Sequence, residues 1–283
     1  MTPDLSWDLQ PWVIASLAVA CFGYARGLRR LPPARRGRIF GAWRVAAFCA
    51  GIAVLAAALL SPLSSLDDQL FSAHMAQHLL LMLVAPPLLV CSRPIMAWMC
   101  ALPTAPRHAV AGLWSRRRGL QRGTAMLMNP LSVWVLASAT LWFWHLPAPY
   151  RWAAAHEGVH VLEHFLLFAT SLMFWSVVIE PYGRRQVAYG LCLMFVAAFS
   201  VQMGMLGAIL TFAARPLYLD PGASLPWGFS PLDDQQLAGV VMWVPVGLVH
   251  LSTMAILFLA WLKHAERRAQ LSVARLLANT GGP

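Results

Sequence analysis

Charge is what this sequence has least of: Asp, Glu, Lys and Arg make up 11% of its 283 residues, where a soluble domain carries about 25%. With 59% hydrophobic residues, that scarcity excludes an ordinary soluble domain and indicates a polytopic membrane protein. No C-x-x-C pair occurs among the five cysteines, Cys21, Cys49, Cys91, Cys100 and Cys192, and their even scatter argues against a disulfide framework or a thiolate cluster. They read as free thiols used as small apolar residues. The opening MTPDLSWDLQ has no basic residue, so it lacks the n-region of a cleaved signal peptide and the first span is expected to remain. Also missing are a soluble domain and any repeat with a period of about 20–50 residues. A formal charge of +10 and a pI near 10.3 raise the question of nucleic acid, but the basic residues, almost all arginine, sit in short blocks between apolar runs. In a membrane protein such blocks set topology, so the bilayer and not a nucleic acid is the expected partner.

Runs near the required length of about 20 residues give an all-α fold of seven transmembrane spans in a single domain over 1–283: about 11–28, 40–62, 70–91, 126–146, 157–180, 187–212 and 235–262. The segments between them alternate. The N-terminal tail and SPLSSLDDQ have no arginine, whereas the first loop holds Arg26, Arg29, Arg30, Arg35, Arg36 and Arg38. The third holds Arg93, Arg107, Arg116, Arg117, Arg118 and Arg122, the fifth Arg184 and Arg185, and the tail Lys263, Arg267, Arg268 and Arg275. The fourth and sixth have one each, Arg151 and Arg215. This pattern predicts an external N-terminus and a cytoplasmic C-terminus, the parity that seven spans require. A short basic helix around Arg107 to Gly119, with Trp114 among the arginines, is expected to lie on anionic headgroups. The Pro- and Gly-rich sixth loop is expected to form an external lid. Two external segments read alike, Ser61-Pro62-Leu63 leading to Asp67-Asp68-Gln69 and Ser230-Pro231-Leu232 leading to Asp233-Asp234-Gln235-Gln236, and acids so placed read first as helix caps. Pro86-Pro87 is expected to kink the third span.

Against that background the histidines are conspicuous. Ionisable groups inside a span are costly and mark function. His74 and His78 are four residues apart, hence on one helix face, and His160 and His164 repeat the spacing. With His145 and His156, six of the nine histidines fall in the external half of three successive spans. Packing does not sort residues by side of the membrane; a convergent site does. Two such pairs supply four nitrogens for one ion, or for two ions with open positions, and neutral imidazole suits copper, zinc, iron and nickel. Depth counting puts His145 at the external interface. Glu163 reads as a partner that orients a ligating imidazole, as a direct ligand, or as an acid satisfied by Arg151 or a histidine. Met75, Met203, Met205 and Met242 offer thioethers at similar depth, although core filling is the plainer role for each. His250, about 24 Å along the last span, is expected to lie too deep for the site and to bond across helices.

His74-Met75-Ala76-Gln77-His78 followed by LLLMLVAPPLLV, Trp144-His145-Leu146-Pro147, His160-Val161-Leu162-Glu163-His164, and Ser230-Pro231-Leu232-Asp233-Asp234-Gln235-Gln236 ahead of Met242-Trp243-Val244-Pro245 together resemble the CtaG family of multi-spanning bacterial cytochrome c oxidase assembly factors. The resemblance implies a plasma-membrane factor needed to make an active haem-copper oxidase, with oxidase subunits or their assembly intermediates as partners and copper as the metal. His156 departs from the pattern. The reading is then a copper-handling assembly factor rather than an enzyme, with His74, His78, His160 and His164 as ligands, His145 at the mouth, and Glu163, His156, Met203, Met205 and Met242 as secondary candidates. Two competitors stay open. A copper permease needs polar stations through to the inner face, where Cys91, Cys100, Cys192 and His250 are all that is available. A redox protein is the other, either with haem held between His78 and His164 or with a di-iron site, which wants more carboxylates than Glu157 and Glu163.

Overall fold

The computed structural model describes residues 2–179 and 189–280, with side chains described as far as residue 272. Arg184 and Arg185 of the fifth loop, and the first residues of the span expected at 187–212, lie outside the described residues. Among those described, every long element is a helix and there is no strand. In order they are α1 (Pro11–Arg29), α2 (Pro33–Ile39), α3 (Ala42–Leu60), α4 (Pro62–Asp67), α5 (Phe71–Leu79), α6 (Ala85–Ser92), α7 (Pro94–Ala101), α8 (Thr104–Arg116), α9 (Arg118–Leu127), α10 (Pro130–Trp144), α11 (Pro147–Ala155), α12 (Glu157–Ile179), α13 (Tyr189–Thr211) and α14 (Pro231–Thr280). A π-helical turn, Leu80–Val84, joins α5 to α6 into one rod.

Among the described residues, six helical segments are long and apolar enough to cross a membrane, and a seventh is reached if α9 and α10, bent by 59° at their break, count as one. The expected span at 126–146 is therefore shorter than anticipated. α9 ends at Leu127 and Asn129 caps the next helix, its side chain accepting from Leu131 N–H at 3.0 Å, and Pro130 starts that helix where no amide donor is needed. The last span also differs: α14 runs unbroken through Pro245 and past residue 262 into the charged tail. The basic helix of the third loop is present as α8, with Trp114 exposed.

The α5–α6 rod is the axis of the bundle. Its window is 61% buried, against 17% for α1 and 50% for α12. α5 packs on α14, α6 packs on α3 and α12, and α10 packs on α12. The kink expected at Pro86-Pro87 takes the form of the π-turn. Pro86 has no N–H to give to the carbonyl of Met82, and Trp175 on α12 donates its indole N–H to that carbonyl at 3.0 Å. The chain thus replaces a lost intrahelical bond with an interhelical one. Where α13 crosses α14, two glycines let the backbones meet: a Cβ on Gly239 would lie 2.6 Å from the Thr211 nitrogen and 2.7 Å from the Gly207 carbonyl oxygen.

At the end of the bundle that carries the histidines, the N-terminal tail lies along α4. Asp4 N–H donates to Gln69 Oε1 at 3.0 Å, Gln69 Nε2 donates to the Asp4 carbonyl at 3.1 Å, and Ser65 Oγ donates to the Ser6 carbonyl at 2.8 Å. The loop between α13 and α14 closes over the same end, with Tyr218 and Leu225 buried.

Candidate metal centre

α5 and α12 each present one histidine pair, and the pairs meet. Ring centroids are 4.1 Å apart for His74 and His78, 4.2 Å for His160 and His164, 5.3 Å for His74 and His160, and 5.1 Å for His78 and His164. Two carboxylates complete the group. Glu163, fully enclosed, places Oε1 3.7 Å from His74 Nε2 and 3.6 Å from His78 Nε2. Asp67, at the end of α4, places Oδ2 3.6 Å from His160 Nε2 and 3.9 Å from His74 Nδ1. One donor atom from each of Asp67, His74, His160 and His164 falls within 4.8 Å of the others, and the same holds for His74, His78 and Glu163. His74 belongs to both groups.

None of the inward donors is otherwise engaged. Asp67 Oδ2, His74 Nε2, both nitrogens of His78, His160 Nε2, His164 Nε2 and both oxygens of Glu163 are buried without a hydrogen-bond partner from the protein. A buried polar atom left so costs about 1–3 kcal/mol, and a native fold keeps only a few. Concentrated in one place, they form a group of donors that a cation would satisfy. Burial pushes the Asp67 carboxyl up to about 8, with the neighbouring Asp68 adding to the effect. A cleft of about 830 Å³ between α1, α3 and α12 opens onto this group at His160, His164 and Asp67, and Asp8, Asp68 and Glu157 line it.

Several expectations change. Asp67, which by sequence reads as a helix cap, turns its carboxylate inward beside His74 and His160. Arg151, offered as a partner for Glu163, is exposed. His145 is not at the mouth but 4% exposed, covered by the segment from α11 and by Tyr218, whose hydroxyl donates to the His145 carbonyl at 2.6 Å. Its ring lies 5.9 Å from that of His78, on the interior side. His156 is exposed and its ring meets the Trp152 carbonyl, away from the cluster. Met203 and Met242 are buried, whereas Met205 is 49% exposed on the outer face of α13. Residues 203 and 205, two apart on a helix, cannot share a face.

A family model for cytochrome c oxidase caa3 assembly factors, Caa3_CtaG, matches residues 22–264. The chain belongs to the Caa3_CtaG family. Among curated relatives, uncharacterized proteins of Mycobacterium bovis and Mycobacterium tuberculosis are each 28% identical over 272 residues, and one of Mycobacterium leprae is 26% identical over 281 residues. Each alignment covers 93% of this chain and 40% of the relative, so the chain spans well under half the length of the proteins it matches. No solved structure matches it.

In this Caa3_CtaG member the block Ser230–Gln236 is explained residue by residue. Ser230 Oγ accepts from Asp233 N–H at 3.1 Å and donates to Asp233 Oδ2 at 2.6 Å, capping α14. Asp234 does not cap its own helix. Its carboxylate accepts from Phe71 N–H at 2.7 Å and Ser72 N–H at 3.1 Å, and from the Ser72 hydroxyl, so it caps α5. Gln235 Oε1 accepts from Leu217 N–H at 2.6 Å and Gln236 Nε2 donates to the Ala213 carbonyl at 3.2 Å, which ties down the covering loop. Gln77 Nε2 donates to the Ala58 carbonyl at 2.8 Å and holds the rod to α3. The family block is therefore a fastening for the histidine helix.

Proposed function

We propose that this protein is a plasma-membrane assembly factor that holds copper at the Asp67, His74, His78, His160, Glu163 and His164 cluster and supplies it to a haem-copper oxidase. The carrying observation is the concentration of unpartnered buried nitrogens and carboxylate oxygens in one group. Membership of an oxidase assembly family supports the recipient. The arginine blocks support seven spans with the N-terminus and the cluster on the external side. Acidic groups along the cleft raise the local concentration of a cation, and His160, the most exposed of the four imidazoles, meets it first. The carboxylates offset the cation's charge inside the bundle, and the imidazoles select a transition metal over a hard ion. Handing the ion on then requires only exchange of ligands at the open side.

The test is metal analysis of the detergent-purified protein beside a variant with all four of His74, His78, His160 and His164 changed to Ala. Copper is expected in the first and lost in the second. Single Gln variants keep hydrogen bonding but ligate soft metal poorly, so they should fail as Ala does while membrane abundance holds. Packing alone puts only about 0.6 kcal/mol per interhelical bond at stake. Full oxidase activity with Gln at both His78 and His164 would overturn the proposal.

A second reading is favoured by the two donor groups that share His74, each with its own carboxylate. It is a dinuclear centre, di-iron included. Two metal ions per chain and an iron spectrum would select it, and a haem spectrum would displace both readings.

A further inference from the structure

Below the cluster, on the interior side of His78, lies a second cavity of about 20 Å³, room for one water-sized occupant. It reaches His250, which packs against Phe174 and Trp175, about 15 Å further along α12 than His164. The chemistry of its wall differs from that of the cluster above. Four methionines, Met75, Met82, Met203 and Met242, and three histidines, His78, His145 and His250, line it together with Ser171 and aromatic and aliphatic groups, and no carboxylate does.

Three of these imidazoles carry nitrogens without a partner: both of His78, Nε2 of His145 and Nδ1 of His250. The tautomer of His145 follows from its neighbour. Its Nδ1 lies 2.7 Å from the Leu141 carbonyl oxygen, which can only accept, so Nδ1 carries the proton and Nε2 presents a lone pair. A buried lone pair, further imidazoles and four methionines around one small cavity are donors suited to a soft cation. All are neutral. In an apolar enclosure the cost of a bare charge rises steeply with its magnitude, so a neutral shell of this kind favours a monovalent ion over a divalent one.

We propose that this cavity is a separate station for Cu(I), sharing His78 with the carboxylate-containing cluster, which by its hard oxygen donors suits a divalent ion. The proposal rests on the reading of the protein as a copper handler, and it adds a site, a ligand set and an oxidation state. His250, which the cluster does not use, becomes the floor of the site. No electron transfer is involved: each station takes the ion in the state that its donors prefer.

The full-length protein in detergent tests this with two probes, Ag(I), a redox-inert stand-in for Cu(I), and Zn(II). The M203L/M242L variant, close to isosteric, should lose about tenfold or more in Ag(I) affinity and keep Zn(II) binding. H250Q should also lose Ag(I) affinity. D67N/H160Q should lose Zn(II) and keep Ag(I), and M205L, altered on the exposed face of α13, should change neither. Silver held by the five cysteines is common to all variants and cancels in the comparison. X-ray absorption of Cu(I)-loaded protein should report sulfur neighbours, and fewer of them in the M203L/M242L variant, which keeps Met75 and Met82. Unchanged Ag(I) affinity in that variant overturns the proposal. So does a wild-type Cu(I) spectrum with nitrogen and oxygen neighbours only, even if the variant does not fold. Failure of the cluster reading would look different, as Zn(II) binding indifferent to D67N/H160Q with Ag(I) binding intact.

Discussion

A carboxyl group held between imidazoles makes metal binding a proton-exchange reaction. The Asp67 carboxyl is pushed from an ordinary value of 3.8 up to about 8, first by burial and then by Asp68. Because its folded value lies above its unfolded one, the contribution of Asp67 to the stability of the metal-free fold is fully present below about pH 4 and is lost as the pH rises toward about 8. A divalent ion must displace that proton, so Zn(II) affinity should climb between pH 6 and pH 8, by up to about tenfold per pH unit. In D67N both slopes should flatten, measurable by competition titration and thermal unfolding in detergent. A wild-type slope in D67N would remove Asp67 from the site. Asp67 was hidden in the sequence for a physical reason: α4 ends at Asp67 and α5 begins at Phe71, and the break severs any helical phase between Asp67 and His74. The four histidines were legible because each pair sits within one unbroken helix. His145 was misplaced because depth was counted along a full-length span, whereas α10 is short and α11 folds over its end. The distinction between Met203 and Met205, by contrast, was available from spacing alone.

Elements here are held by bonds that cross between helices. The indole of Trp175 serves the Met82 carbonyl only because Pro86 does not. W175F should therefore destabilise by about 0.6–1.7 kcal/mol, and in a P86A background, where the amide is restored, the same change should cost little. Equal losses in both backgrounds, read by unfolding in detergent, would break the connection. The crossing of α13 and α14 makes a second case. Gly239→Val has no room against Thr211 and Gly207, so it should prise the helices apart and lower protein abundance, whereas substitution at the more open Gly247 should be neutral by the same immunoblot. A third is the cap on α5. D234A should cost about 0.5–2 kcal/mol and D234N less, with metal content falling in parallel. The existence and extent of most long helices could be read from apolar runs. The π-turn, the 59° bend before α10 and the partner of Asp234 could not, because they depend on which helices become neighbours.

At the scale of the whole molecule, the cluster sits at one end of the bundle, and the functional reading requires that end to face outward. Reporters fused after Gln69, Ala148 and Ala223 should score as external, and those after Arg36, Arg118 and the C-terminus as cytoplasmic. A cytoplasmic signal at Ala148 would put the cluster on the other side of the membrane and overturn the proposed external site. The enclosing pieces come from distant parts of the chain: the tail along α4, the loop carrying Tyr218 and the carboxylate of Asp234. That carboxylate lies 163 residues downstream of Phe71, the amide it serves. During synthesis the histidine helix therefore enters the bilayer with its first amides bare, and it stays so until the final span has left the ribosome. A nascent chain halted before Ser230 has the four imidazoles of the cluster and the loop carrying Tyr218, but neither the Asp234 clamp nor the Gln235 and Gln236 bonds that tie the loop down. The last helix must be made before the clamp can close, so a truncated product reaches the membrane with its histidine helix unfastened.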